Sequence, residues 1–250
     1  MRGSEPGIHV EAGNVTRMKF SAIQPFTVLD YPGKVACIAF TPGCNFRCGY
    51  CHNPEFVLPD RVKQLEPDFI DEETVIRFLE RRKGLLDGIV VTGGEPTLHR
   101  GLPDFLRRVK SLGFLVKLDT NGSLPQVVSR LLDENLLDYV AMDVKTSLEQ
   151  YQGLVGPCIQ PKAIQDSIDL IRERAPDYEF RTTLLREVHG LPVLKDMVGL
   201  VARAKRYVLQ PFRPAVTLDP AFGSYSAPDA SEMELITDLF RPHVGELILR

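Results

Sequence analysis

Gly88-Ile89-Val90-Val91-Thr92-Gly93-Gly94-Glu95-Pro96 opens as an unbroken apolar run and closes on a glycine pair, a carboxylate and a proline. A short run that is apolar throughout, with no polar alternation, marks a strand covered on both faces, which is the habit of parallel sheets. The flanks agree with this. Downstream, Leu102, Phe105, Leu106, Val109 and Leu112 recur at i, i+3, i+4, i+7 spacing, and Gly113 sits where a helix stop belongs. Further out, strands are predicted at Val35 to Thr41, Phe114 to Asp119, Tyr139 to Val144, Tyr178 to Leu185 and Tyr207 to Gln210. Helices are predicted over Glu72 to Arg82, Leu124 to Leu132 with Pro125 in the first turn, Ala163 to Arg174, Val193 to Ala204 and Ser231 to Phe240. Ser231 and Glu234 have the spacing of a capping box for the last of these.

Strand alternating with helix implies parallel strands joined by right-handed crossovers, an α/β class. Two topologies fit: a doubly wound sheet, and a barrel left incomplete at six strands. Polar motifs follow the C-terminal ends of four successive strands: the cysteine-rich loop, Gly93-Gly94-Glu95-Pro96, Asp119-Thr120-Asn121-Gly122, and Asp143 with Lys145. In a barrel those ends ring one mouth, whereas in an open doubly wound sheet only the ones at the switch point meet. Four motifs that need to converge favour a partial (β/α)6 barrel.

Composition sets the outer limits. The 250 residues carry 30 basic and 33 acidic side chains, a formal charge of −3, which excludes a strongly basic nucleic-acid binder on bulk electrostatics. The apolar run Val35 to Phe40 is far short of the ~20 residues that span a bilayer. Met1 to Asn14 has no apolar stretch of the signal-peptide kind. A cytoplasmic protein with no membrane or nucleic-acid partner is expected. Residues 1–17 are polar, contain three glycines and are expected to be a flexible lead-in, with Met18 a possible second start, before a single domain over 18–250.

Five cysteines are present, and Cys44, Cys48 and Cys51 fall within eight residues. An odd count without export argues for metal binding or a reactive thiol over a disulfide framework. Thiolates are soft ligands for zinc, copper(I) and iron–sulfur clusters. Zinc would need a fourth ligand, from the adjacent His52 or the distant Cys158. A cluster held by three cysteines instead leaves one iron open. Cys37, among Val35, Ile38 and Phe40, has the setting of a small buried hydrophobe. Cys158 follows Gly156-Pro157 and is expected to be a spare surface thiol. Gly93-Gly94 allows close approach to the backbone, and Asp119 and Asn121 are also good helix-entry residues.

Cys44-x-x-x-Cys48-x-x-Cys51 followed by Gly93-Gly94-Glu95-Pro96 resembles the radical S-adenosylmethionine superfamily, in which three cysteines hold a 4Fe-4S cluster and the cofactor chelates the fourth iron. Tyr50 stands where that superfamily usually has an aromatic residue. With Asp30-Tyr31-Pro32-Gly33 and Cys51-His52-Asn53-Pro54, the chain is similar, over about Phe20 to Pro214, to glycyl-radical-enzyme activating proteins of the anaerobic ribonucleoside-triphosphate reductase and pyruvate formate-lyase types. The resemblance implies a radical SAM fold, with Cys44, Cys48 and Cys51 as cluster ligands. It implies that Gly94 and Glu95 hold the cofactor's amino group and that Gly93, Tyr50 and Asn121 lie against the cofactor. By the same resemblance Asp119, Thr120 and Asp143 bind a monovalent cation, Lys145 lies near the cofactor carboxylate, and Arg181 is a further candidate. One departure is visible: where pyruvate formate-lyase activators have a ribose-associated histidine, this chain runs Gln210-Pro211-Phe212-Arg213.

The implied activity is reductive cleavage of S-adenosylmethionine, with an electron from reduced flavodoxin or ferredoxin, to install a glycyl radical on a partner enzyme. A radical enzyme acting on a small molecule, in cofactor or modified-base synthesis, and a non-catalytic iron–sulfur or zinc module are the competing readings. Two leftover cysteines cannot build a second four-cysteine cluster.

Overall fold

The computed structural model describes residues 17–250; apart from Arg17, the lead-in expected at 1–17 lies outside the described residues. The strands are β1 (Lys19–Phe20), β2 (Ala22–Thr27), β3 (Ala36–Thr41), β4 (Ile70–Asp71), β5 (Gly88–Gly93), β6 (Leu115–Thr120), β7 (Tyr139–Asp143), β8 (Tyr178–Leu184), β9 (Arg206–Pro211) and β10 (Glu246–Leu249). The helices are α1 (Pro59–Leu65), α2 (Glu72–Glu80), α3 (Leu102–Ser111), α4 (Pro125–Asp133), α5 (Tyr151–Val155), α6 (Pro161–Arg174), α7 (Leu191–Val201) and α8 (Ala230–Phe240).

One sheet runs in the order β10-β9-β8-β7-β6-β5-β3-β2, while β1 and β4 form a separate antiparallel pair. From β3 to β10 every neighbouring pair is parallel, and β2 lies antiparallel on the edge. The order never reverses along the chain, so there is no switch point, and the sheet is the wall of an incomplete barrel. All six predicted strands are present. The sheet extends past them at both edges, by β2 and β10, whose partly exposed residues give no buried run to read.

Strand periodicity divides the side chains between two faces. Cys37, Ala39, Ile89, Val91, Val116, Leu118, Val140 and Met142 face the helices and join an apolar cluster that runs from Met18 to Phe240. Cys37 is fully buried there, as expected. The alternate residues Ala36, Ile38, Val90, Tyr139 and Ala141 form a smaller cluster on the concave face with Tyr31. Tyr31 and Tyr139 rings meet at 5.9 Å and close the barrel floor. Higher up, the concave face becomes polar, with Lys117 and Asp119, Asp143, and Glu179 and Arg181 at successive inward positions.

The helix ends follow local chemistry. Proline occupies the first turn of α3, α4, α6 and α7, where its missing N–H costs nothing. The capping box of α8 is not the expected Ser231 and Glu234. Asp229 caps the backbone N–H groups of Ser231 and Glu232, and the Glu232 carboxylate accepts from Asp229 N. The same spacing occurs two residues earlier, and there a carboxylate faces the positive end of the helix.

Candidate functional site

The loop after β3 carries the three cysteines and is held from several sides. Gly43 N donates to Phe56 O at 2.7 Å, and Arg47 N donates to Val155 O at 2.7 Å. The Arg47 guanidinium folds back onto the carbonyls of Cys44 and Phe46 at 2.6 and 2.7 Å. From the far side of the barrel, the segment after β9 reaches over the loop: Leu218 N donates to Cys51 O and Asp219 N to Gly49 O, both at 2.9 Å. Phe222 of that segment covers Gly49, where an added Cβ would sit 2.2 Å from the ring.

The Gly-Gly-Glu-Pro segment is stitched to the same loop. Gly94 N donates to Thr41 O and Glu95 N to Gly43 O, each at 2.8 Å. A Cβ on Gly93, whose φ is +117°, would lie 2.4 Å from Thr41 backbone, and one on Gly94 would lie 1.9 Å from Gly43 O. What the glycines admit is therefore the backbone of the cysteine loop itself. Glu95 is fully buried and accepts four hydrogen bonds: from Thr97 N (3.1 Å), Thr97 Oγ1 (2.6 Å) and Thr120 Oγ1 (2.8 Å) on Oε1, and from Asn121 N (2.7 Å) on Oε2. Burial pushes its carboxyl above the usual range, against the lowering by those donors. Oε2, with one partner, keeps the freer lone pair.

At the ends of β6, β7 and β8 stands a charged set. Arg181 donates to Asp143 (Nε to Oδ1, 2.8 Å) and Asp119 (Nη1 to Oδ2, 3.1 Å). Lys117, 1% exposed, donates to Asp119 Oδ1 at 2.5 Å, and Lys145 donates to Asp143 Oδ2 at 2.8 Å. Burial works to raise both carboxyls, but the cationic neighbours outweigh it and hold them below the ordinary carboxylate range. Burial likewise disfavours the Lys145 cation, and Asp143 more than restores it.

These parts meet in one cavity of about 260 Å³ at the barrel mouth, whose lining includes Cys44, Cys48, Cys51, Tyr50, Glu95 and Lys145. Gly93, Gly94, Asp119, Thr120, Asn121, Asp143 and Arg181 also line it, so every predicted site residue is brought to one place. Asn121 anchors the loop through Asn45 at 2.9 Å. Cys158 lies on the exposed surface and outside the lining, and so does Arg213. Where the absent ribose-associated histidine raised a question, His52 enters the lining instead, stacked on Phe212 at 5.5 Å. His189 was also missed. It sits behind the wall and receives Leu185 N on Nδ1 at 3.0 Å, with Nε2 3.0 Å from Lys145 O.

The cavity fits the expected cofactors on its own chemistry. Cys44, Cys48 and Cys51 all line it, and thiolates are soft ligands suited to such a group. Burial pushes Cys44 up and Cys48 up to about 12, so as free groups they are thiols, and they would surrender protons on binding metal. The Tyr50 hydroxyl is buried against the cavity with no partner, and buried polar atoms normally have one.

A three-cysteine loop at the mouth of an incomplete parallel barrel defines a radical S-adenosylmethionine enzyme. The Radical SAM superfamily pattern matches residues 38–189, and the chain belongs to that superfamily, whose members use a 4Fe-4S cluster and S-adenosylmethionine. It is 31% identical over 236 residues to a Methanocaldococcus jannaschii protein provisionally described as a glycyl-radical enzyme activating enzyme, covering 92% of this chain and 95% of that one. A 7-carboxy-7-deazaguanine synthase of Thermococcus kodakarensis is 31% identical over 132 residues, 45% of this chain and 51% of the synthase. Among solved structures, a domain of a pyruvate-formate lyase-activating enzyme from Bacteroides vulgatus superposes with a TM-score of 0.53 at 18% identity, covering 65% of this chain and 98% of that domain. Among the described residues no helix is long and apolar enough to cross a membrane.

Proposed function

We propose that this chain is a glycyl-radical-enzyme activase, a single catalytic domain over 18–250 acting in the cytoplasm on anaerobic ribonucleoside-triphosphate reductase. One observation carries the activase reading, the reductase as partner resting on the sequence resemblance alone: the likeness to the M. jannaschii activating enzyme runs nearly end to end in both chains, whereas the likeness to the deazaguanine synthase stops at about half of each. The open barrel supports it. β2 and β10 are not paired with each other, so the wall has a lateral gap through which a protein loop could reach the mouth.

Cys44, Cys48 and Cys51 would hold the cluster. Bound there, with reduced flavodoxin or ferredoxin as electron donor, the cluster would supply the one-electron chemistry for reductive cleavage of S-adenosylmethionine, directed at a glycine Cα of the partner. Glu95, through Oε2, and the backbone beside Gly94 would receive the cofactor's amino group. Lys145 presents a fixed positive charge to its carboxylate. Tyr50 and Phe222, with ring centroids 6.2 Å apart, roof the cysteine loop and keep water from it.

Anaerobically reconstituted protein, given dithionite, S-adenosylmethionine and the reductase, is expected to release 5′-deoxyadenosine and produce a glycyl signal in electron paramagnetic resonance. Release of 5′-deoxyadenosine without that signal on any co-expressed glycyl-radical enzyme would favour a small-molecule substrate. No release at all would remove the catalytic reading.

A further inference from the structure

The family resemblance places an alkali-metal ion on Asp119, Thr120 and Asp143, and the structure leaves no seat for one. All four carboxylate oxygens accept from cationic side chains: Lys117 and Arg181 on Asp119, Arg181 and Lys145 on Asp143. Thr120 Oγ1 is committed as well, donating to Glu95 at 2.8 Å and accepting from Gly122 N at 3.1 Å. Three cations face two carboxylates, so the set has a formal charge of +1 before any ion is added. The guanidinium bridges the two carboxylates, occupying the position between them where a shared ion would sit. A hard cation needs oxygen lone pairs turned toward it, and here it would also meet three fixed positive charges in a partly buried pocket, where repulsion is less screened than in open water.

We propose that Arg181, assisted by Lys117, is the resident counter-cation of this pocket, and that S-adenosylmethionine binds here without an alkali-metal ion. The logic is local to the chain. Two partly buried carboxylates at adjacent strand ends need neutralising, or they would repel the carboxylate of the incoming cofactor. A guanidinium does this with one N–H to each carboxylate and is never deprotonated. Lys117 lies two residues before Asp119 on the same face of β6, so it buttresses that carboxylate from below. The excess positive charge remains for the cofactor.

The test is S-adenosylmethionine binding to the anaerobically reconstituted protein, by titration calorimetry at constant ionic strength in potassium, sodium or tetramethylammonium chloride. The wild-type dissociation constant is expected to agree across the three salts within about twofold, well under the tenfold that corresponds to 1.4 kcal/mol. Tightening of tenfold or more by potassium or sodium would overturn the proposal without any variant being made. Arg181→Met keeps the aliphatic stem and removes the charge. It is expected to bind the cofactor about tenfold more weakly and to recover part of the loss in potassium, since the freed oxygens then offer a seat. Unchanged affinity in Arg181→Met would assign the charge elsewhere and defeat the role given to Arg181. Should that variant not fold, Arg181→Lys keeps the charge but lacks the planar fork that aims one N–H at each carboxylate. Wild-type affinity in Arg181→Lys would equally count against the bridge. Absence of glycyl radical formation would leave all of these binding results standing, so failure of the activase reading is separable.

Discussion

Glu95 has no solvent exposure, and its four hydrogen bonds join three segments: its own turn through Thr97, the end of β6 through Thr120, and the following loop through Asn121. Each buried donor left without a partner costs about 1–3 kcal/mol. Glu95→Ala is therefore expected to lose at least about 3 kcal/mol in urea unfolding, while Glu95→Gln, which keeps the carbonyl acceptor, loses less. If the two variants are equally stable, the carboxylate is not the tie described. The cysteines separate just as clearly. Cys48→Ala should fail to hold a full cluster, read as iron per chain and visible absorbance after reconstitution. Cys158→Ala, on the exposed surface away from the cavity, should match wild type in both. A Cys158→Ala protein without cluster would show that the ligand set is wrong.

At the scale of elements, the glycines divide into those that neighbours constrain and those that nothing constrains. An alanine Cβ at Gly94 would meet Gly43 O at 1.9 Å, backbone against backbone, so the end of β5 or the cysteine loop must shift. Gly94→Ala should impair cluster retention. Gly199, exposed within α7, has nothing within 4 Å of an added Cβ, and Gly199→Ala should stabilise the fold by about 0.5–1 kcal/mol. Differential scanning calorimetry on both variants checks the contrast: a raised midpoint in Gly94→Ala would sink the packing argument. These elements also show what could be read from residues alone. The strands buried on both faces, such as β5, announce themselves as apolar runs, and the amphipathic stripe of α3 does likewise. β2 and β10 do not, because an edge strand has only one neighbour and here carries Pro25 or Glu246 in exposed positions. Lys117, set in Leu115-Val116-Lys117-Leu118, reads like a solvent-facing residue, since alternation cannot tell solvent from a polar barrel interior. The cysteine loop was legible through its spacing. The strap over it was not, because nothing in Arg213 to Asp229 is periodic and its contacts are made by backbone groups and one ring.

Across the whole molecule, two histidines tie distant loops to the barrel mouth, and both are held neutral. His99 places Nε2 2.9 Å from Pro42 O, at the entry to the cysteine loop, and His189 places Nε2 3.0 Å from Lys145 O. Burial lowers both pKa values, and the carbonyl partners only partly oppose it. The unfolded chain protonates each at about 6.5, above the folded value, so below that pH it binds more protons than the native state. Stability from these groups is complete above about 6.5 and is lost as pH falls from there toward the folded values. The carboxylates behave at a different pH. Asp119 and Asp143 lie below the ordinary range when folded, so their contribution persists down to about 3.9 and is lost only below it. The first acid weakening should therefore come from the histidines, well before those two aspartates titrate, while Glu95, raised on folding, gains stability as pH falls and opposes it. Urea unfolding of the reconstituted protein between pH 8 and pH 5 is expected to show declining stability below about 6.5. A His99→Gln, His189→Gln double variant, which keeps an N–H for each carbonyl but cannot titrate, should be less stable at pH 8 and flatter across the range. The wild-type minus variant difference removes the acid lability of the cluster itself, common to both. If that difference is independent of pH, the two histidines are not the groups through which the mouth responds to acid.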